Sequence, residues 1–471
     1  MAFKPESIAP RQLESSSEEE SQSKENLESW SKANNPSHPH NWPRHKRWAH
    51  VIVISILALI TNMAPTMCAP GISEIATDLN MTSSVVSTLA ITLYVLGVAI
   101  GPMHMAPLSE KYGRRPIYHT ANTIFVAFII GNALSQTPAQ FMVFQFISGC
   151  AGGTPMALGG GTIADITTIK QRATAMSLFS IGPLAGPMSL VLGPVIGGFL
   201  AVGKGWRWKF WLLAILGGFF GIATAIIMRE THPEILRQRR FAHLHASTDS
   251  FNIQTKPPAT LSPTQVLLQV LVHPILLLVK SPILLVISLY VTLVFGIMYL
   301  LFTTFTDVFE GQYGFSISIS GLVYLGLGVA RRKHVPLQHC EWPGPRCTPC
   351  VALGLFIYGW TAYYRVHWIV PIIGTVLIGF GAFFVIMPAQ LYLIDVFGSE
   401  AAASALGANN FLRFISSTFL PLAGPKMYQT LNHGWGNTLL GFLALAFVPG
   451  PLLFYKYGEK LRTRERSPAP M

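Results

Sequence analysis

Residues 101–116 read GPMHMAPLSEKYGRRP and close a hairpin between two apolar runs, 85–107 and 117–134. Each run is close to the ~20 residues a helix needs to cross ~30 Å of hydrocarbon. The connection is very short, and Gly113 can supply the positive φ that so tight a turn usually requires. Glu110, Arg114 and Arg115 put charges of both signs where two helix ends leave the apolar layer. A carboxylate is favoured at a neighbouring helix N-terminus, and an arginine can reach a second acid. Asp165, at the same-side end of a later run, is the nearest candidate partner for Arg114 or Arg115.

Working outward, twelve apolar stretches fall in two sets of six. The first set is 51–69, 85–107, 117–134, 141–162, 173–201 and 210–228; the second is 282–306, 317–330, 351–364, 368–393, 401–422 and 435–455. Of 471 residues, 51% are apolar and only 11% charged, with mean hydropathy +0.44. A soluble chain carries about a quarter charged residues, so composition selects an all-α integral membrane protein. Continuous rather than alternating runs favour helices over a barrel. The net charge of +12 would suggest nucleic acid in a soluble domain. Here the basic residues cluster in connections of one parity, which is a topology signal and argues against a nucleic-acid partner. All but six of the 33 lysines and arginines lie in the even-numbered connections and the two tails. The exceptions are Lys204, Arg207, Lys209, Arg365 and Lys426 in the opposite connections, and Arg413 inside a span. Both termini are therefore expected in the cytosol.

The chain divides into a disordered cytosolic tail (1–48), a six-helix bundle (49–228), a cytosolic linker (229–280), a second six-helix bundle (281–456) and a C-terminal tail (457–471). Six spans, linker and six spans is the pattern of a duplicated transporter. The lipid bilayer, a small-molecule cargo and no other chain are the expected partners, with the protein a monomer. No His/Asp/Glu cluster or nucleophile–base pair recurs at one depth, so an enzyme is not expected, nor any cofactor or metal.

Span five carries Gly182-Pro183, Gly186-Pro187, Gly193-Pro194 and Gly197-Gly198. At 100° per residue Gly182, Gly186, Gly193 and Gly197 fall within an arc of ~60°, a smooth strip that lets another helix approach closely. The prolines bend a helix without stranding backbone in lipid.

The 101–116 segment resembles the signature loop of the major facilitator superfamily, with Glu110 where many members have Asp and Ala106 where many have Gly. The resemblance implies a twelve-span major facilitator fold, two bundles rocking about a central site. It also implies that Glu110, Gly113, Arg114, Arg115 and Asp165 form a cytosolic charge latch. The span-five pattern resembles the antiporter motif of exporters with twelve spans, where the strip seals against span eight. Asn41-Trp42-Pro43, Gly159-Gly160-Gly161-Thr162 with Asp165, Gly205-Trp206-Arg207-Trp208 and Glu230-Thr231-x-Pro233 resemble the fungal drug:proton antiporter branch. That implies proton-coupled export of drugs, toxins or secondary metabolites across a plasma membrane, with protons as coupling ion.

Three departures stand out. Gln145 occupies a position where many relatives carry an arginine, and no Asp or Glu lies deep in any span. An uncoupled facilitator is the alternative these suggest. Arg413 is the single charge within a span, with Asn409 one turn earlier on the same face. Span eight stops after ~21 Å of helix, too short for the bilayer, and breaks into a basic, Pro-rich stretch at 330–350 holding Cys340, Cys347 and Cys350. The spacing is irregular for zinc. A local frame or splice error in the gene explains the break better, which leaves a non-transporting product as a further alternative.

Candidate cavity residues are Asn62, Tyr94, Gln145, Tyr290, Tyr299, Gln390, Tyr392, Asn409 and Arg413. Apolar and aromatic walls with few charges suit a lipophilic, neutral or weakly cationic compound.

Overall fold

A computed structural model describes residues 39–181, 187–233, 235–237, 239, 276, 278–324 and 349–449. Both tails (apart from its last ten residues, the N-terminal one), most of the linker, Gly182, Pro183 and Gly186, and nearly all of the 330–350 segment lie outside the described residues. Within them every regular element is helical. Seven helices are long and apolar enough to cross a bilayer.

In chain order they begin with α1 (Arg44–Cys68), a short α2 (Ile72–Asp78), α3 (Ser84–Tyr112) and α4 (Arg114–Leu134). Span four is built from α5 (Pro138–Gly152) and α6 (Thr154–Ile166), and span five from α7 (Ile169–Ile181) and α8 (Pro187–Lys204). α9 (Arg207–Ile227) completes the first half. The second half has α10 (Pro282–Tyr313), α11 (Ile317–Val323), α12 (Pro349–Tyr363) and α13 (Ile369–Ala446).

Local chemistry sets the ends. The Ser83 and Thr137 hydroxyls accept from the Val85 and Gln140 amides, capping α3 and α5. α10 runs past the expected end of span seven and carries Asp307 and Glu310 on its last turns, because the chain becomes left-handed only at Gly314, φ +67°. On α9, Ile215, Phe219, Ile222 and Ile226 form an exposed stripe at helical spacing, the outermost 78% exposed. Such a stripe belongs against acyl chains.

The 78-residue α13 would be ~117 Å long if straight. Asn432, at φ +57°, reverses it instead. The Tyr428 hydroxyl bonds the Asn437 side-chain oxygen at 3.0 Å, although nine residues of straight helix would separate them by ~13 Å.

The halves meet where α3 packs on α13 and α8 on α11. The Thr418 hydroxyl donates to the Thr92 carbonyl at 3.4 Å. Within the first half, Gly97, Gly101 and Gly149 bring the α3 and α5 backbones so close that a Cβ would not fit. A small apolar cluster including Ile117, Tyr118, Ile163, Ile166 and Met228 lies under the Gly113 turn.

Candidate functional site

At the Gly113 end α3 runs to Tyr112 and α4 begins at Arg114, so the whole turn is one residue. Gly113 has φ +102° and ψ 159°, a region open essentially only to glycine. Its conformation turns the first amides of α4 outward, where they need an acceptor. Glu230, which follows α9, supplies it. Its carboxylate accepts from the Arg114 amide at 2.8 Å and the Arg115 amide at 3.2 Å. The same carboxylate accepts from the Thr231 and His232 amides. An anion thus sits at the positive end of α4, and a Cβ on Gly113 would collide with it.

The Arg114 side chain takes the other direction. Its Nε lies 3.2 Å from Asp165 Oδ2 at the end of α6, with the two side chains 12% and 16% exposed. Its Nη1 donates to Ser109 Oγ at 2.9 Å, and the guanidinium lies over Gly161, which has no side chain to obstruct it. Arg115 Nη2 donates to the Ala225 carbonyl on α9. His50 ties α1 to the same corner. Its Nδ1 is 2.7 Å from the Lys46 carbonyl, so it donates there, and its Nε2 accepts from the Arg229 amide at 3.1 Å.

Of the five expected latch residues, the structure brings Gly113, Arg114, Arg115 and Asp165 together. Glu110 is exposed, with no ion pair or hydrogen bond to a described residue. The acid at the helix start is Glu230, which the sequence marked only as a short match after span six. Its signal was parity: the end of span six leaves the membrane on the same side as the Gly113 turn. Every member of this network belongs to the first half or to the first residues of the linker that follows it, so it braces one bundle internally.

The described glycines of the strip, Gly193 and Gly197, lie against Thr66 and Met67 of α1 and not against span eight as expected, because the face that turns to span eight is the one carrying the neighbouring Gly198. Gly198 lies against Ile317 and Ser318 of α11, and Gly321 against Pro194. The Ser318 hydroxyl donates to the Gly198 carbonyl at 3.5 Å.

The cavity candidates separate into two groups. Tyr94 is fully buried and donates to the Thr61 carbonyl at 2.6 Å, a strut between α3 and α1. Gln145 is fully buried too, its amide on Cys68 Sγ at 3.4 Å and its oxygen without a partner. Asn62 bonds back to Ala58 at 2.7 Å. Tyr290 is buried and stacks on Phe447; Gln390 and Tyr392 are half-buried. Tyr299, Asn409 and Arg413 form the second group. Arg413 lies over Phe295 at 4.5 Å and Phe414 at 4.7 Å, and Tyr299 packs on Phe295 at 5.3 Å.

The opposite end carries a second set of charges. Arg207 pairs with Asp78, both side chains over 40% exposed, and Trp206 Nε1 donates to the same carboxylate at 3.1 Å. Lys209 is fully buried and donates to the Pro70 carbonyl.

A sequence model described as Major Facilitator Superfamily matches residues 54–421. The chain is 45% identical to "MFS transporter prlG" of Fungal sp. (strain NRRL 50135), over 96% of this chain and 99% of that relative. It is 42% identical to "Efflux pump radE" of Floropilus chiversii, over 94% of this chain and 86% of the relative. Among solved structures a D-xylose-proton symporter superposes with a TM-score of 0.63 at 16% identity, covering 86% of this chain and 98% of that one.

Proposed function

Because the chain belongs to the major facilitator superfamily, and so is a multi-pass membrane transporter, we propose that it exports small lipophilic organic compounds in exchange for protons. The Gly113 end then faces the cytosol with both termini, the Asp78 end faces out, and the membrane is the plasma membrane of a fungal cell. Relatives named as an efflux pump and as a biosynthesis-cluster transporter support outward transport of secondary metabolites, and drugs or toxins belong to the same reading. The observation that carries the export reading is the α8–α11 contact. The glycine-rich helix whose pattern resembles that of exporters meets the other half at Gly198 and Gly321. Small residues on both helices let that seam close tightly and part again. Those contacts, and Thr418 on Thr92, lie in the half of the molecule nearer Asp78, which fits a state closed to the outside.

In this reading the Arg114–Asp165–Glu230 network keeps the first bundle rigid while it rocks. A second reading, uncoupled facilitation, is favoured by Gln145, which cannot hold a charge and is engaged with Cys68. Export from an efflux-deficient yeast, with and without a protonophore, tests both. Outward movement abolished by the protonophore is expected; movement down a gradient that ignores it selects the facilitator. No movement at all, with the transcript across 330–350 confirmed, defeats both and leaves the non-transporting product.

A further inference from the structure

Arg413 is 4% exposed, and its depth follows from its neighbour. Phe295 is near the middle of α10, so the guanidinium lies ~20 Å or more from either end of that helix. The acids on α10, Asp307 and Glu310, come 12 and 15 residues after Phe295, about 18 and 22 Å along the axis. Glu310 is engaged by the Ser320 hydroxyl at 3.1 Å. Among the described residues none forms an ion pair with Arg413, and its Nε is buried without a hydrogen-bond partner.

Guanidinium stays protonated at any biological pH and presents five N–H donors in one plane. The rings of Phe295 and Phe414 attract its charge, but an aromatic ring does not satisfy those donors as an oxyanion does. Asn409, one turn earlier, is fully buried with both side-chain polar atoms unpartnered. Buried polar groups are overwhelmingly paired in folded proteins. The Arg413 guanidinium and the Asn409 Nδ2, left open at mid-depth on one helix face and beside aromatic rings, are donors waiting for an acceptor.

We propose that Arg413 reads an organic anion. The cargo is a lipophilic molecule with one carboxylate or a similarly delocalised oxyanion, its charged end at Arg413 and Asn409 and its apolar body against Phe295, Tyr299 and Phe414. This rests on the export reading above and replaces the neutral or weakly cationic cargo expected from composition. A bidentate carboxylate matches the guanidinium fork, whereas an ammonium is repelled and an amide brings only a dipole.

Three probes on one skeleton test it: 2-naphthylacetate, 2-naphthylacetamide and 2-naphthylmethyl-trimethylammonium, binding to the purified full chain. The carboxylate should bind at least about ten-fold tighter than the amide, and the ammonium weakest. Arg413→Gln should bring carboxylate and amide within about three-fold by weakening the carboxylate far more than the amide, and Arg413→Lys should restore part of the preference. Asn409→Ala, a milder change, should cost the carboxylate about three-fold and the amide less. A wild-type protein that binds carboxylate and amide alike overturns the proposal. So does an Arg413→Gln protein that keeps the carboxylate preference, which would make Arg413 a brace between two rings. Export of the same three probes is measured separately. A carboxylate preference in binding with no probe exported supports the anion site and defeats only the export reading.

Discussion

The two ends of the first bundle each carry an arginine–aspartate pair, and they are built differently. Arg114–Asp165 is mostly buried, backed by Ser109 and an apolar cluster, and joined to a helix N-terminus that Glu230 closes. Arg207–Asp78 is largely exposed and bound mainly through Trp206 and Arg207 themselves. An exposed pair is screened and worth little, while a buried one is costly to break because the survivor keeps its charge out of water. Burial, more than the presence of opposite charges, decides which end holds the bundle together.

The contrast is broken most severely by Arg114→Ala. Asp165 is left half-buried without its cation, and unfolding in mixed detergent should show a loss of about 3 kcal/mol. A loss no larger than that from Arg207→Ala would erase the difference between the ends. Next comes Gly113→Ala, which forces a Cβ into a glycine-only conformation and against the Glu230 carboxylate; about 2 kcal/mol is expected in the same measurement. Glu230→Gln removes the anion from the start of α4 and should cost about 1 kcal/mol. Its sharpest control is Glu110→Gln, expected within ~0.5 kcal/mol of wild type since Glu110 is exposed. A reversed order of those two would restore the sequence-based latch.

Among the variants that remove an observed contact, the smallest effect belongs to Asp78→Asn, about 0.5 kcal/mol after allowance for solvent screening. Hydrogen bonds from Arg207 and Trp206 hold the Asp78 carboxyl below its ordinary value. Its contribution is therefore present above the usual carboxylate pKa of ~4 and lost as pH falls through the lowered value. Thermal scans of wild type and Asp78→Asn should keep a constant gap between pH 5 and 7.5 and converge only in stronger acid. A gap that closes near pH 6 would assign the titration to another group.

Much of this was legible in the residues. The hairpin at Gly113 was, because its length and glycine leave few other conformations, and so was the partnership of Arg114 with Asp165. Glu110 misled because nearness in sequence was taken for nearness in space. The helix runs on to Tyr112 and carries Glu110 on an exposed face, while the α4 amides open toward a segment over a hundred residues away. Tyr94 and Gln145 were expected at a cavity wall. Whether a polar side chain faces a cavity or a neighbouring backbone depends on how closely the next helix comes. Here Gly152, which has no side chain to keep the Tyr94 ring away, and the Thr61 carbonyl of α1 come near enough to enclose Tyr94. Arg413 was visible as a lone charge; the two rings that embrace it were not, since one comes from a helix more than a hundred residues earlier.

The reversal at Asn432 has a mechanical consequence. With no slack between them, the last two rods of the chain form a stiff fork, pinned across its crook by Tyr428 and Asn437. The tine that bears Arg413 has no freedom to peel away alone. If Arg413 holds an anionic cargo as proposed, its release would follow a swing of the fork as one piece, and an insertion of flexible residues at position 432 should uncouple grip from swing.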